Sequence, residues 1–310
     1  MPDTSYMETV IITGGTGLIG TALTSLLTAK GYKVIILSRK THQARDNISY
    51  SIWDLNKSYI DPDAIRQADH IIHLAGAGVA DRRWTDKRKK VIRDSRVKSG
   101  KLIVKALSEN ENKVRTVVSA SAMGWYGPDK KGDRPFIETD PSSDDFLGST
   151  CKLWEESISP VTNFSKRLVY LRTGIVFSNK GGAFKEFVKP LKAGIATILG
   201  SGNQVISWIH IDDLCRLYLE AIEMHHLKGP YNASAPENIT NKELMLKIAK
   251  ARRRPYIPIH VPEFVLKIVL GEMSIEVLKS ATLDDSLIRN AGFNFIYPTV
   301  DAALNDLVRT

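Results

Sequence analysis

Cysteine is almost missing from this chain: Cys151 and Cys215 are the only two in 310 residues. Two thiols cannot staple a disulfide framework, and no second Cys or His stands at zinc-ligand spacing, so the sequence offers no metal site. Apolar runs of the ~20 residues needed to cross a bilayer are missing as well. The opening residues 1–6, Met-Pro-Asp-Thr-Ser-Tyr, lack the basic flank and apolar stretch of a secretory signal. The expectation is a cytoplasmic protein with no membrane partner. Negative charge is also short, because 34 acidic residues against 43 basic ones leave a net +9. The excess gathers at Arg82-Arg83, at Lys87 to Lys90, along Arg93, Arg96, Lys98, Lys101 and Lys105, and at Arg252-Arg253-Arg254. Most of it falls on one predicted helix whose other positions are apolar, which describes a solvated face. No helix-turn-helix, zinc-finger or RNA-binding motif accompanies it, so no nucleic-acid partner is expected.

What is present begins at the amino end. The β-branched run Thr9-Val10-Ile11-Ile12-Thr13 breaks at Gly14-Gly15-Thr16-Gly17-Leu18-Ile19-Gly20, and Leu18, Ile19, Ala22, Leu23, Leu26 and Leu27 follow at helical spacing. That pattern is strand, tight turn, helix. Glycines there permit the turn, admit a diphosphate to the backbone and let the helix pack on the strand. The helix offers free N–H groups and the positive end of its dipole to the phosphates. A second strand, Lys33 to Ser38, ends at Ser38-Arg39, where the adenosine ribose would lie. An acidic residue at this place accepts the ribose 2′-hydroxyl, whereas a guanidinium suits a 2′-phosphate. Ser38 and Arg39 therefore favour NADP over NAD.

Further along, Ile48 to Trp53 is a predicted strand ending at Asp54, within reach of the adenine. The buried strand Ala68 to His73 runs into Leu74-Ala75-Gly76, small residues suited to close approach by a ligand. A long helix is predicted over Asp86 to Leu107, with Ile92, Ser99, Ile103 and Ala106 on one face and Arg96 beside that seam. An arginine so placed either snorkels out or meets an anion, and Arg96 is expected among the cofactor contacts. Val114 to Ser121 is the next strand, carrying Ser119 and Ser121 beside the expected nicotinamide. A helix over Asp144 to Ser159 and a strand over Arg167 to Val176 follow. Val205 to Ile211 leads into a helix from Asp213, with His210 as a structural hydrogen-bonding residue. From Tyr231 the glycine-turn-helix rhythm stops, and prolines mark a smaller lobe.

The order of these segments resembles the extended, epimerase-like branch of the short-chain dehydrogenase/reductase superfamily, and most closely its uncharacterised epimerase family proteins. The residues that carry the resemblance are Gly14 to Gly20, Ser38-Arg39, Leu74-Ala75-Gly76, Arg83-Trp84, Ser95-Arg96, Ser119 to Gly127, Trp154-Glu155, Leu171-Arg172-Thr173-Gly174, Trp208 to Asp213 and Gly271-Glu272-Met273. The resemblance implies an α/β fold, a Rossmann doubly wound parallel sheet of about seven strands with a smaller α/β C-terminal lobe. It implies residues 7–173 and 208–230 for the NADP-binding domain, and 174–207 and 231–310 for the lobe. NADP(H) is the implied cofactor, with Arg172 and Val176 joining its contacts. The implied partner is a small molecule, a sugar nucleotide among the choices, and a homodimer is in keeping with relatives. One departure stands out. Where catalytic members carry Tyr-x-x-x-Lys, this helix reads Cys151-Lys152-Leu153-Trp154-Glu155. The relay in which lysine lowers the tyrosine's pKa is absent. Ser121 and Tyr126, followed by Cys151, are the candidate catalytic groups. The competing expectation is an NADP(H)-binding regulatory protein without turnover.

Overall fold

The computed structural model describes residues 7–130, 132, 134–253 and 255–308; Arg254 and residues 1–6 lie outside them. In chain order the first part runs β1 (Thr9–Thr13), α1 (Leu18–Ala29), β2 (Lys33–Ser38), β3 (Ile48–Asp54), β4 (Tyr59–Ile60), α2 (Pro62–Gln67), β5 (His70–His73), α3 (Asp86–Glu109), β6 (Thr116–Ala122), α4 (Phe146–Ile158) and β7 (Arg167–Thr173). The second part runs β8 (Ile175–Phe177), α5 (Gly182–Leu191), β9 (Ile195–Leu199), β10 (Val205–Ile206), β11 (Trp208–His210), α6 (Ile211–Glu223), β12 (Gly229–Ala233), β13 (Ile239–Thr240), α7 (Asn241–Ala251), β14 (Ile257–Val261), α8 (Glu263–Leu270), α9 (Ser274–Leu278), α10 (Ser286–Asn290) and α11 (Val300–Leu307).

Eight strands form the main sheet in the order β12-β7-β6-β5-β1-β2-β3-β4. Seven are parallel, and only the short edge strand β4 runs antiparallel, against β3. The strands are apolar on both faces because helices cover both. Val10, Ile12, Val34 and Ile36 join the cluster beneath α1 and α6, while Ile11, Ile35 and Leu37 join the one beneath α2 and α3. That alternation is the period of a strand written twice. Each fully buried aliphatic side chain contributes about 1.5–3 kcal/mol over an exposed one. On the second face α3 and α4 cross closely at Gly100, where an added Cβ would sit 2.1 Å from Ser157 Oγ. A third cluster, built from Phe177, Phe184, Trp208, Leu244, Ile248 and Leu304, holds the smaller lobe.

Two expected strands divide. The run Arg167 to Val176 leaves the main sheet at Gly174, and β8 pairs instead with β11. At Gly174 a Cβ would meet Ser207 O at 2.7 Å, while Ile175 N donates to that same carbonyl. Nothing in the continuous apolar spelling marks this transfer between sheets. Likewise Val205 to Ile211 becomes β10 and β11, which belong to separate two-stranded sheets. The main sheet takes back the chain at β12, so the expected boundary after residue 230 falls inside a strand paired with β7. Among the described residues no helix is long and apolar enough to cross a membrane.

Candidate functional site

The carboxyl ends of β1, β2 and β5 meet at the glycine turn. Gly14 adopts φ +71, and a Cβ there would lie 3.1 Å from the Leu74 carbonyl and the Ala75 amide. Gly20 is tighter still, at 2.4 Å from Gly14 O. Packing alone demands glycine at these two positions. Gly17 differs, because it is exposed and its added Cβ would meet only Gly14 O, at 3.3 Å. It is also the N-cap of α1, with no side-chain cap and no acidic residue in the first turn. The amides of Leu18 and Ile19 therefore open onto a hollow beside exposed Thr16, with the dipole's positive end behind them. This end of the sheet fits a dinucleotide diphosphate. Val176 lies alongside it, with the Gly181-Gly182 turn over Leu18. Arg39 is exposed at the end of β2, Ser38 Oγ accepts from Lys40 N, and Asp54 Oδ1 caps the turn at Asn56 and Lys57.

Two residues that sequence reading passed over hold this end together. Thr13 Oγ1 accepts from the Leu74 and Ala75 amides, and it donates to His73 Nδ1 at 2.8 Å. His73 Nε2 in turn reaches Ser99 Oγ on α3, whose own proton goes to Arg96 O. The ring is wholly buried and neutral. Desolvation, with the Arg96 charge adding to it, pushes its pKa down to about 3. The unfolded chain binds a proton near 6.5 that the folded chain refuses, so this group's contribution is complete above that pH and is lost on acidification toward 3. The expected slope across the window is up to about 1.4 kcal/mol per pH unit. Urea unfolding of the protein and of His73→Gln at pH 7, 6 and 5 checks it, and parallel losses in the two would refute the assignment.

The three candidate catalytic residues do not face a cleft. Ser121 is buried and donates to Glu155 Oε1 at 2.7 Å. Glu155, on α4, is held by Arg172 of β7 through Nε to Oε1 at 2.9 Å and Nη2 to Oε2 at 3.0 Å. Arg172 Nη1 donates to the Tyr126 hydroxyl and to Glu138 O, and its guanidinium lies 3.7 Å from the Trp125 ring centre. Tyr126 is wholly buried, stacked on Phe136, and donates to Asn232 Oδ1 at 2.7 Å. Burial pushes its phenol up to about 12. Its hydroxyl is engaged within the protein, between Asn232 and Arg172. Cys151 is buried too, and desolvation likewise raises its thiol to about 12. Arg172 is buried with them, and four of its five donors are committed within the protein. Ser119 is wholly buried as well, with its hydroxyl turned onto Ala120 O.

The wider surroundings follow the same pattern. Trp208 stacks on Phe177 in the small-lobe core, and Trp84 donates to Val79 O, so neither lines a cleft. His210 accepts from Asp212 N at Nδ1 and therefore presents Nε2–H to Asp306, at 3.3 Å. His210, Asp212 and Asp306 stand at ligand distances, with the Nδ1 lone pair taken by the Asp212 amide. Arg96 carries no carboxylate among the described residues. Its Nη1 donates to Ala77 O and Ile92 O, both at 3.0 Å, and the guanidinium packs 4.9 Å from the Trp154 ring centre.

Comparison with known proteins agrees with this geometry. Residues 10–234 match the NAD dependent epimerase/dehydratase family, and residues 261–307 match a domain of unknown function, DUF1731. The epimerase family protein YfhF of Bacillus subtilis is 33% identical over 302 residues, covering 96% of this chain and 97% of its own length. The crystal structure of human epimerase family protein SDR39U1 (isoform 2) with NADPH superposes with a TM-score of 0.87 at 28% identity, covering 97% of this chain and 99% of that one. A nucleoside-diphosphate sugar epimerase from Corynebacterium glutamicum superposes with a TM-score of 0.77 at 32% identity, over 98% of this chain and 58% of its own.

Proposed function

Because this chain belongs to the NAD dependent epimerase/dehydratase family, we propose that it is an NADP(H)-dependent oxidoreductase of a small molecule, of the nucleotide-sugar epimerase type, working without a Tyr-x-x-x-Lys relay. The observation that carries this reading is the uncapped amide end of α1 behind Gly17, a hollow that the protein's own packing does not require. NADPH in the structure of the human relative supports the choice of nucleotide. When bound, the cofactor supplies hydride. The chain's part is to hold the diphosphate on the Leu18 and Ile19 amides, to receive the 2′-phosphate at Ser38 and Arg39, and to place the reacting ring against Leu74, Ala75 and Gly76. With Ser121, Tyr126 and Cys151 withdrawn into the core, the proton comes from solvent in the cleft.

Replacing Arg39 by Asp should weaken NADPH binding about 10–100-fold, the worth of a charge-assisted contact of 1.5–3 kcal/mol, while NADH binding holds or improves. Titration of nicotinamide fluorescence with each nucleotide reads the ratio, and an unchanged preference would refute the 2′-phosphate role. A second reading, an NADP(H) sensor without turnover, has one observation in its favour: position 155, where the relay's lysine is expected, holds a glutamate tied into a buried ion pair with Arg172. NADPH consumption against sugar nucleotides, quinones and small carbonyls separates the two. Tight binding with no consumption would leave the sensor standing.

A further inference from the structure

Two arginines flank α4, and they are treated oppositely. Arg172 is neutralised by Glu155, and that partner raises its pKa. Arg96 lies on α3 at the other side of the helix, and its Nε and Nη2 meet no protein acceptor among the described residues. Desolvation lowers its pKa, and Arg88 on the same helix lowers it further. The side chain is half-buried against Trp154, and a ligand's charge would offset the desolvation of the cation. The chain leaving β5 is shaped around this group. A Cβ on Gly76 would come 3.1 Å from Arg96 Cζ, so glycine lets the guanidinium lie against the strand's end. Ser95 Oγ takes the Ala77 amide and fixes the same turn. Gly14 touches Leu74 and Ala75, so the free cation stands one or two residues beyond the dinucleotide turn, at about 3.3 Å per residue.

We infer that Arg96 seats a carboxylate of the substrate, so that this protein acts on acidic carbonyl compounds rather than neutral ones. The inference rests on the NADP(H) reading above and assigns Arg96 to the substrate instead of the cofactor. A carboxylate fits better than a phosphate for two reasons. The open Nε/Nη2 edge is a planar fork matched to two coplanar oxygens. Both α3 and α4 pass this point in mid-helix, so no row of amides is available for a phosphate dianion.

The test titrates oxalate and, separately, inorganic phosphate into the protein, Arg96→Gln and Arg96→Lys. Bound-NADPH fluorescence is one readout, and thermal midpoint with and without NADPH is the other. Oxalate should saturate the protein, bind at least about tenfold more weakly to Arg96→Gln, and recover in part in Arg96→Lys. NADPH affinity should stay within about twofold in all three, as expected of a residue outside the diphosphate cradle. Oxalate binding equal in Arg96→Gln, or none in the unmodified protein, overturns the site. Phosphate binding tighter than oxalate overturns the carboxylate, and loss of NADPH from Arg96→Gln returns the residue to the cofactor. Failure of the unmodified protein to bind NADPH sinks the preceding reading instead, while the thermal arm without nucleotide still decides this one.

Discussion

Gly17→Val should abolish NADPH binding, raising Kd at least about 100-fold, while the nucleotide-free protein unfolds at nearly the same denaturant concentration. The two halves of this result come from different atoms. A Cβ at Gly17 meets only Gly14 O, at 3.3 Å, and the residue's φ of −79 suits any side chain. Valine's branched methyls would instead fill the hollow in front of the Leu18 and Ile19 amides, where diphosphate oxygens accept. Losing two charge-assisted hydrogen bonds at about 1.5 kcal/mol each already amounts to about 100-fold. Gly20→Ala is the contrasting variant. Its Cβ would press to 2.4 Å from Gly14 O, so it should lower stability as well as binding. Nicotinamide fluorescence and urea unfolding read the pair. Retained NADPH affinity in Gly17→Val would remove the amide cradle, and with it the proposed function.

The largest loss of stability is expected at Glu155. Glu155→Ala strands Arg172, which is 3% exposed and has Nε and Nη2 aimed at the vanished carboxylate. Breaking one side of a buried ion pair costs about 3–5 kcal/mol, because the remaining charge stays out of water. Ser121 loses its acceptor in the same step, adding to the penalty. Glu155→Lys, which restores the family's usual residue, should be worse, since it sets two buried cations against each other. Replacing both partners, Glu155→Met with Arg172→Met, should cost less than the sum of the singles. Urea unfolding of the unmodified protein, the two Met singles and the double variant closes the cycle. A Glu155→Ala loss below about 1 kcal/mol would show that water reaches the pair and that the network is not what occupies the relay's place.

The glycine turn, β1, α1 and the seam of α3 were legible because each is written within a dozen or so residues. Ile92, Ser99, Ile103 and Ala106 are indeed buried on α3, as their spacing said. Cys151 and Glu155, which stand where the resemblance sets Tyr and Lys, were legible as a departure on sight too. What surrounds them was not, for its parts come from far apart. Tyr126 meets Asn232 across 106 positions, and His73 meets Thr13 across 60. Tyr126 beside a glycine near a strand end looks like a cleft residue, and only the stacking of Phe136 and the arrival of β12 enclose it. Gly174 conceals a change of sheet for the same reason, since its neighbour Ser207 arrives from elsewhere in the chain.

By itself, then, the sequence determined the glycine turn and the helix start that follows it, because a tight turn, a helix start and a missing Cβ are local backbone requirements. The tertiary structure decided which polar groups remain chemically available. A side chain's charge and reach depend on what distant strands place beside it and on how much water is left. Two arginines spelled alike therefore became different things: Arg172 is neutralised by Glu155 inside the core, and Arg96 remains an unpaired cation at the end of β5.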